Sequence, residues 1–314
     1  MDLDFLYTLQ NLRTPFSSTV MNLCSYLASE LLVVAAMCLL YWVFNKEFAY
    51  KLCFSYFVSG LMIQGLKVTF RIPRPWLRDS RLYVDSTAES AATGYSFPSG
   101  HTQTATALYG SFALHLKKWW SYLIGVIAIA LVMFSRMFLG CHTPQDVLVS
   151  LGISLVLVVL VSVIMDHIRV TDLTRTIVFL LILAASLFLT VYTFILIQTG
   201  RIADSDLGNA YDAIKCAGAG VGFGFGYYLE KNLLNFDPKQ TKKVWAQILK
   251  VAIGLVVALA FKELPKQLIH DDSSVQLIVC VHFFRYILTV LWVIYIYPVI
   301  FTKVPSRSSA NPQK

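Results

Sequence analysis

Residues 135–166 read SRMFLGCHTPQDVLVSLGISLVLVVLVSVIMD. From Val147 to Met165 no side chain carries a charge, and such a run is long enough to cross a bilayer as one helix. The polar groups stand just before it: Arg136, His142 and Asp146, with the carboxylate four residues after the histidine. A polar cluster at the mouth of an apolar helix is costly in a membrane and points to function. The rest of the chain repeats the apolar theme. It is 57% hydrophobic and 14% charged over 314 residues, with a mean hydropathy of +0.64, too little charge to cover a soluble domain of this size.

Working outward, apolar runs near membrane-spanning length fall at roughly 19–44, 47–70, 99–116, 119–139, 144–166, 174–198, 208–229, 243–262 and 276–301. The expected fold is therefore all-α, a polytopic membrane helical bundle of about nine transmembrane helices. The acidic start, Met1-Asp2-Leu3-Asp4, lacks the basic region of a secretory signal, so the first apolar segment is expected to remain as an anchor. Six scattered cysteines, mostly in apolar runs and without a Cys-x-x-Cys pair, read as small buried hydrophobes and imply neither a disulfide framework nor a zinc site.

Lysines and arginines set the orientation. Lys46, Lys117, Lys118, Arg169, Arg175, Lys231, Lys239, Lys242, Lys243, Lys303, Arg307 and Lys314 fall on one set of connections. That side is expected to be cytoplasmic and to hold the C-terminus. The N-terminus and the polar motifs then lie on the extracytoplasmic side. The net charge of +8 is spread over separate short loops, which excludes a basic groove for nucleic acid.

Two further stretches carry chemistry. In Lys67-VTFRIP-Arg74-Pro75 the two cations are seven residues apart, so on a continuing helix they share a face, and Pro73 and Pro75 are expected to end that helix where it leaves the membrane. They suit a phosphate, although both also fit the ordinary end of a transmembrane helix. In Pro98-Ser99-Gly100-His101 a helix begins. Its free N–H groups attract anions, Gly100 allows close backbone approach, and His101 is placed to give a proton to a leaving oxygen; Ser99 equally fits a plain N-cap. In the third stretch, Asp146 can hold one nitrogen of His142 and leave the other free to attack. A structural pair or a metal ligand set are the alternatives there.

Together the stretches match KX6RP, PSGH and SRX5HX3D, and the chain thereby resembles the type 2 phosphatidic acid phosphatase superfamily. The match spans residues 67–146. The resemblance implies a metal-independent integral-membrane phosphatase without cofactors, acting on a lipid phosphate or polyprenyl pyrophosphate through a phosphohistidine. It implies His142 as nucleophile, Asp146 as its orienting carboxylate and His101 as general acid. Lys67, Arg74, Ser99, Gly100 and Arg136 would bind the phosphate. It further implies a six-helix-like phosphatase core within residues 1–200 and a transmembrane extension, 201–314, packed on it. The long span layout resembles the glucose-6-phosphatase branch, so a sugar-phosphate substrate is the alternative. An anion transporter is a different class. Its cations would line a conduction path, whereas here they gather at one face beside a His–Asp pair. The glycine run Gly218-Ala-Gly220-Val-Gly222-Phe-Gly224-Phe-Gly226 lies in an apolar helix rather than after a strand, and reads as a close packing surface. Lys215 and Arg285, cations at the edges of apolar spans, are candidates for a substrate entrance.

Overall fold

The computed structural model describes residues 2–89, 92, 94–203, 206–241, 243–270 and 272–303. Lys242 and the polar tail with Arg307 and Lys314 lie outside the described residues. Among the described residues every regular element is helical. Short helices α1 (Asp2–Gln10) and α2 (Pro15–Tyr26) precede α3 (Glu30–Leu39), which continues through a π turn to Phe44. Next come α4 (Lys46–Phe70), α5 (Pro75–Arg78) and α6 (Gly100–Ala105), the last joined by a π turn to α7 (Ser111–Leu116). The long helices α8 (Trp119–Phe138), α9 (Pro144–His167), α10 (Asp172–Gln198) and α11 (Leu207–Leu229) follow. α12 (Val244–Glu263), α13 (Val275–Leu291) and α14 (Tyr297–Lys303) close the chain.

Seven segments among the described residues are long and apolar enough to cross a membrane, not nine. The two that fall short are helical but differ in kind. Residues 100–116 are short and interrupted by the π turn at Thr106–Gly110. α11 is diluted by glycine, Asp212 and Lys215, which it tolerates because most of its surface is covered by neighbouring helices. The expected span 19–44 is in fact split, because Ser29 caps a new helix by accepting from Leu32 N–H. Outward-facing Leu148, Leu155, Val156, Leu160 and Val163 on α9 leave an apolar rim for lipid. The chain is an integral membrane protein. All six cysteines are unpaired, and Cys280 is exposed rather than buried.

α4 is the axis of the bundle, packing against α9 and α11. Its ends carry the two polar centres of the molecule. Lys46 at the start and Lys67 near the finish are 21 residues apart by number, about 31 Å along a helix, close to the ~30 Å of a bilayer's hydrocarbon core. At the Lys46 end, Glu230 is fully buried and accepts from Lys46 Nζ (2.8 Å), Tyr50 Oη (2.7 Å) and Phe236 N–H (3.0 Å). Lys46 Nζ also donates to Asn235 Oδ1 (2.9 Å) and the Phe236 carbonyl (2.7 Å). Its three donors are thus spent, and the pair ties α4 to the end of α11.

α11 sits between α10, α13 and α4, and its glycines explain how. A Cβ at Gly218 would lie 2.4 Å from the Phe283 carbonyl oxygen, and one at Gly222 would lie 2.6 Å from that of Ile287. One at Gly220 would meet Ser186 Oγ on α10 at 2.4 Å. The glycine run is a packing surface, as its setting in an apolar helix suggested. Gly222→Leu is therefore expected to force α11 off α13 and to cost at least the ~1–3 kcal/mol of core overpacking. Gly152→Ala is the matched control, since a Cβ there meets nothing within 4 Å. Equal thermal stability of the two variants in detergent would contradict this account of the interface.

Candidate active site

The three motifs converge on one cavity of about 140 Å³, lined by Gln64, Lys67, Arg74, Gly94, Gly100, His101, His142, Asn209 and Asp212. Local rules bring each group there. α8 ends in a Schellman turn: Cys141 N–H donates to the Arg136 carbonyl (2.9 Å) and Gly140 N–H to that of Met137 (3.0 Å). Gly140 takes the left-handed conformation (φ 78°) that the turn requires. A Cβ there would also collide with Arg13 Nη2 and the Tyr83 carbonyl oxygen, each at 2.8 Å. Arg13 clamps the turn by donating to the carbonyls of Phe138 (2.7 Å) and Tyr83 (2.9 Å).

His142 follows this turn, almost wholly buried. Thr143 then opens α9 in a capping box, its N–H donating to Asp146 Oδ2 (2.8 Å) and its hydroxyl accepting from Asp146 N–H (3.3 Å). The same carboxylate oxygen accepts from Ser96 Oγ (2.5 Å) and lies 3.5 Å from His142 Nδ1. Asp146 is thus both a helix cap and the neighbour of the imidazole, so the two readings of the His–Asp spacing hold together. At the far side of the ring, Nε2 is 3.0 Å from Arg74 Nη1. A guanidinium only donates, so Nε2 carries the lone pair and Nδ1 the proton, facing Asp146. Burial first, and the Arg74 charge second, hold His142 well below its usual 6.5, so the ring is neutral at pH 7.

Lys67 and Arg74 reach the cavity by a different route from the one their spacing suggested. α4 stops at Phe70, with Arg71 left-handed at φ 51°, because Pro73 and Pro75 bar its continuation. Arg74 therefore comes from the extended segment beyond the helix, not from its face. It donates to the carbonyls of Gly94 and Cys141, both at 2.8 Å, while Lys67 Nζ donates to that of Tyr95 (2.5 Å). His101 lies in the first turn of α6 and faces the cavity beside Gly100. Arg136 is fully buried just behind. Its Nη1 donates to Ser25 Oγ (2.8 Å), while Nε and Nη2 have no partner among the described residues. Ser99 acts as the N-cap, its Oγ accepting from Thr102 N–H (3.4 Å), and does not line the cavity. Ser135 Oγ donates back to the Val132 carbonyl (2.7 Å).

Of the two intramembrane cations, Arg285 does not line the cavity and caps the end of α12 through the Lys262 carbonyl (3.0 Å). Lys215 pairs with Asp212, which lines it (2.7 Å). Gln64, Asn209 and Asp212 were not anticipated. Ser96 and Ser25, which hold Asp146 and Arg136, were missed as well.

Fold and site thus define an integral-membrane protein with a neutral histidine set among buried cations, an arrangement suited to phosphate. Residues 48–169 match the family model for the PAP2 superfamily, and residues 214–309 match that for the PAP2 superfamily phosphatase transmembrane extension. The chain belongs to the PAP2 superfamily. It is similar to a probable sphingosine-1-phosphate phosphatase of Dictyostelium discoideum, 27% identical over 49% of this chain and 40% of that protein. It is also similar to an undecaprenyl-diphosphatase of Sulfolobus acidocaldarius (27%, over 33% of this chain and 48% of that protein). A lipid A 1-phosphatase of Rhizobium etli is 32% identical, over 30% of this chain and 40% of that protein. The chain spans less than half the length of each of these relatives. No solved structure matches it.

Proposed function

We propose that the protein is a metal-independent membrane phosphatase that hydrolyses a lipid phosphate or polyprenyl pyrophosphate through a phosphohistidine. The observation that carries this reading is the pinning of His142 between Asp146 and Arg74 on a cavity it shares with His101 and Lys67. In the first step Nε2 of His142 attacks phosphorus while the bond to the leaving oxygen breaks. His101 gives that oxygen a proton, and Asp146 supports the imidazolium that forms. Lys67 and Arg74, with the Gly100 N–H, hold the non-bridging oxygens, and Arg136 adds its charge from behind the cavity; such neutralisation is the main requirement of phosphoryl transfer. In the second step water attacks phosphorus, His101 takes its proton, and the P–N bond breaks to release phosphate and free histidine.

Two observations favour a lipid over a sugar phosphate. The relatives are named for sphingosine 1-phosphate, undecaprenyl diphosphate and lipid A. The cavity of about 140 Å³ is well below the ~300–1,000 Å³ of pockets that enclose a whole small molecule. It has room for a phosphoryl group and leaves the remainder at the membrane surface.

The opposite end of the bundle supports an extracytoplasmic site. There Lys117 lies 3.9 Å from Asp166, Arg175 donates to Asn232 (2.6 Å) and Lys231 to Glu47 (2.5 Å). The excess of basic loops at that end marks the cytoplasmic face.

The test is phosphate release by the purified protein from lipid phosphates and polyprenyl pyrophosphate. Release should persist in EDTA and stop with orthovanadate. His142 is depressed below 6.5, so the nucleophile protonates only as pH falls through that lower value. The acid limb of kcat/KM is expected below pH 6.5, and an acid limb centred above pH 7 would contradict the assignment.

A further inference from the structure

The cations and histidines account for one part of the cavity lining; Gln64, Asn209 and Asp212 make up another. Asn209 and Asp212 are three apart on α11 and so share a face. Gln64 stands one turn before Lys67 on α4, and its buried Oε1 has no hydrogen-bond partner among the described residues. Asp212 holds Lys215 through Oδ1 and lies within electrostatic reach of Lys67 and Arg74. A carboxylate is a poor wall for a site that takes only a dianion, because it repels what the cations attract. It becomes favourable when the ligand presents a positive or hydrogen-donating group beside its phosphate. An orphaned amide oxygen adds a second acceptor that costs free energy until a donor meets it. Asn209 and Asp212 come from α11, which carries none of the phosphate-binding motifs, and Gln64 from the turn of α4 before Lys67, so they bear on which ester is taken rather than on how it is cleaved.

Resting on the phosphatase reading above, we propose that Asp212, Asn209 and Gln64 form a recognition wall for a donor group near the phosphorylated oxygen, an ammonium before a hydroxyl. The substrate class is then a phosphate monoester with an amine, or failing that a hydroxyl, on the carbon next to the one bearing phosphate. α11, which leads into the residues matching the transmembrane extension, thereby adds specificity to a site whose chemistry lies in the motifs of residues 67–146.

The test uses three alkyl phosphates of one chain length, with ammonium, hydroxyl or hydrogen on that neighbouring carbon, and compares kcat/KM for the intact protein. The amine is expected to exceed the unsubstituted ester by about tenfold or more, with the hydroxyl between them. In Asp212→Asn the ratio of amine to unsubstituted ester should collapse toward one. Gln64→Leu should lower the same ratio, and gives a second reading if Asp212→Asn is too unstable to assay. Equal rates on all three esters by the unaltered protein overturn the proposal while leaving the phosphatase reading intact. So does an unchanged ratio in the variants, which would mean that Asp212 only balances Lys67 and Lys215. A protein that releases phosphate from none of the three or from any lipid phosphate overturns both.

Discussion

Replacing His142 with alanine is expected to lower phosphate release by a factor on the order of 10⁴ or more, with the helical fold retained. The size of the loss follows from the role. Without the imidazole no P–N bond can form, and the surrounding cations have only water to activate. Retention of the fold follows from the contacts. Arg74 keeps the Cys141 carbonyl, and Asp146 keeps Ser96 and the Thr143 N–H, as partners when the ring is gone. His101→Ala should behave differently. A general acid contributes about 10²–10⁴-fold, and its loss matters least when the departing oxygen is already acidic. An aryl phosphate with an activated phenol should therefore recover much of the rate in His101→Ala and none in His142→Ala. Recovery in both variants, or in neither, would remove the distinction between the two histidines. The measurement is the burst of leaving-group release on the two ester types, which reads the first step alone because His101 also serves the hydrolysis that follows.

The second large effect lies at the other end of α4. Glu230→Ala leaves the Lys46 ammonium buried with only Asn235 and a carbonyl as partners. Breaking one side of a buried pair typically costs about 3–5 kcal/mol. On the scale that links free energy to melting temperature, this is a drop on the order of 10 °C, read by thermal unfolding in detergent. The double variant Lys46→Met with Glu230→Leu should recover most of that loss, since well-packed apolar residues often replace a buried pair without penalty. If Glu230→Ala alone melts like the unaltered protein, the ion pair does not fasten α11 to α4.

Much of this was legible in the sequence because it is written locally. The helical class, the Ser99 cap and the His142–Asp146 spacing all depend on neighbours within one or two turns. The glycine run declared its packing role through its setting in an apolar helix. Arg74 shows where local reasoning stops: Pro73 and Pro75 announce the end of the helix, but not the extended path that brings the guanidinium to the Gly94 and Cys141 carbonyls. The remaining parts of the site are set by tertiary placement. Ser25 meets Arg136 across 111 positions, and Ser96 meets Asp146 across 50, with no pattern in the chain to announce either. Lys46 read as one more cytoplasmic-side cation, and nothing nearby revealed Glu230, 184 residues on. One signal was available for the cavity wall. Asn209, Asp212 and Lys215 recur at helical spacing within an otherwise apolar run, and polar groups in such a setting usually face an interior. α11 falls short of a candidate span for the same reason, since a helix enclosed by others tolerates the glycine and charge that a lipid-facing one does not.

The claim on which the rest depends is that phosphorus is passed to nitrogen. It is tested most directly by quenching the protein within milliseconds of mixing with a lipid phosphate labelled on phosphorus, then locating the label. The account predicts a phosphoprotein, labile in acid and stable in alkali, with the label on the peptide that contains His142 and absent from His142→Ala. An active protein that never carries label on that residue, and that transfers phosphorus to water with inversion of configuration as a single displacement requires, would contradict it.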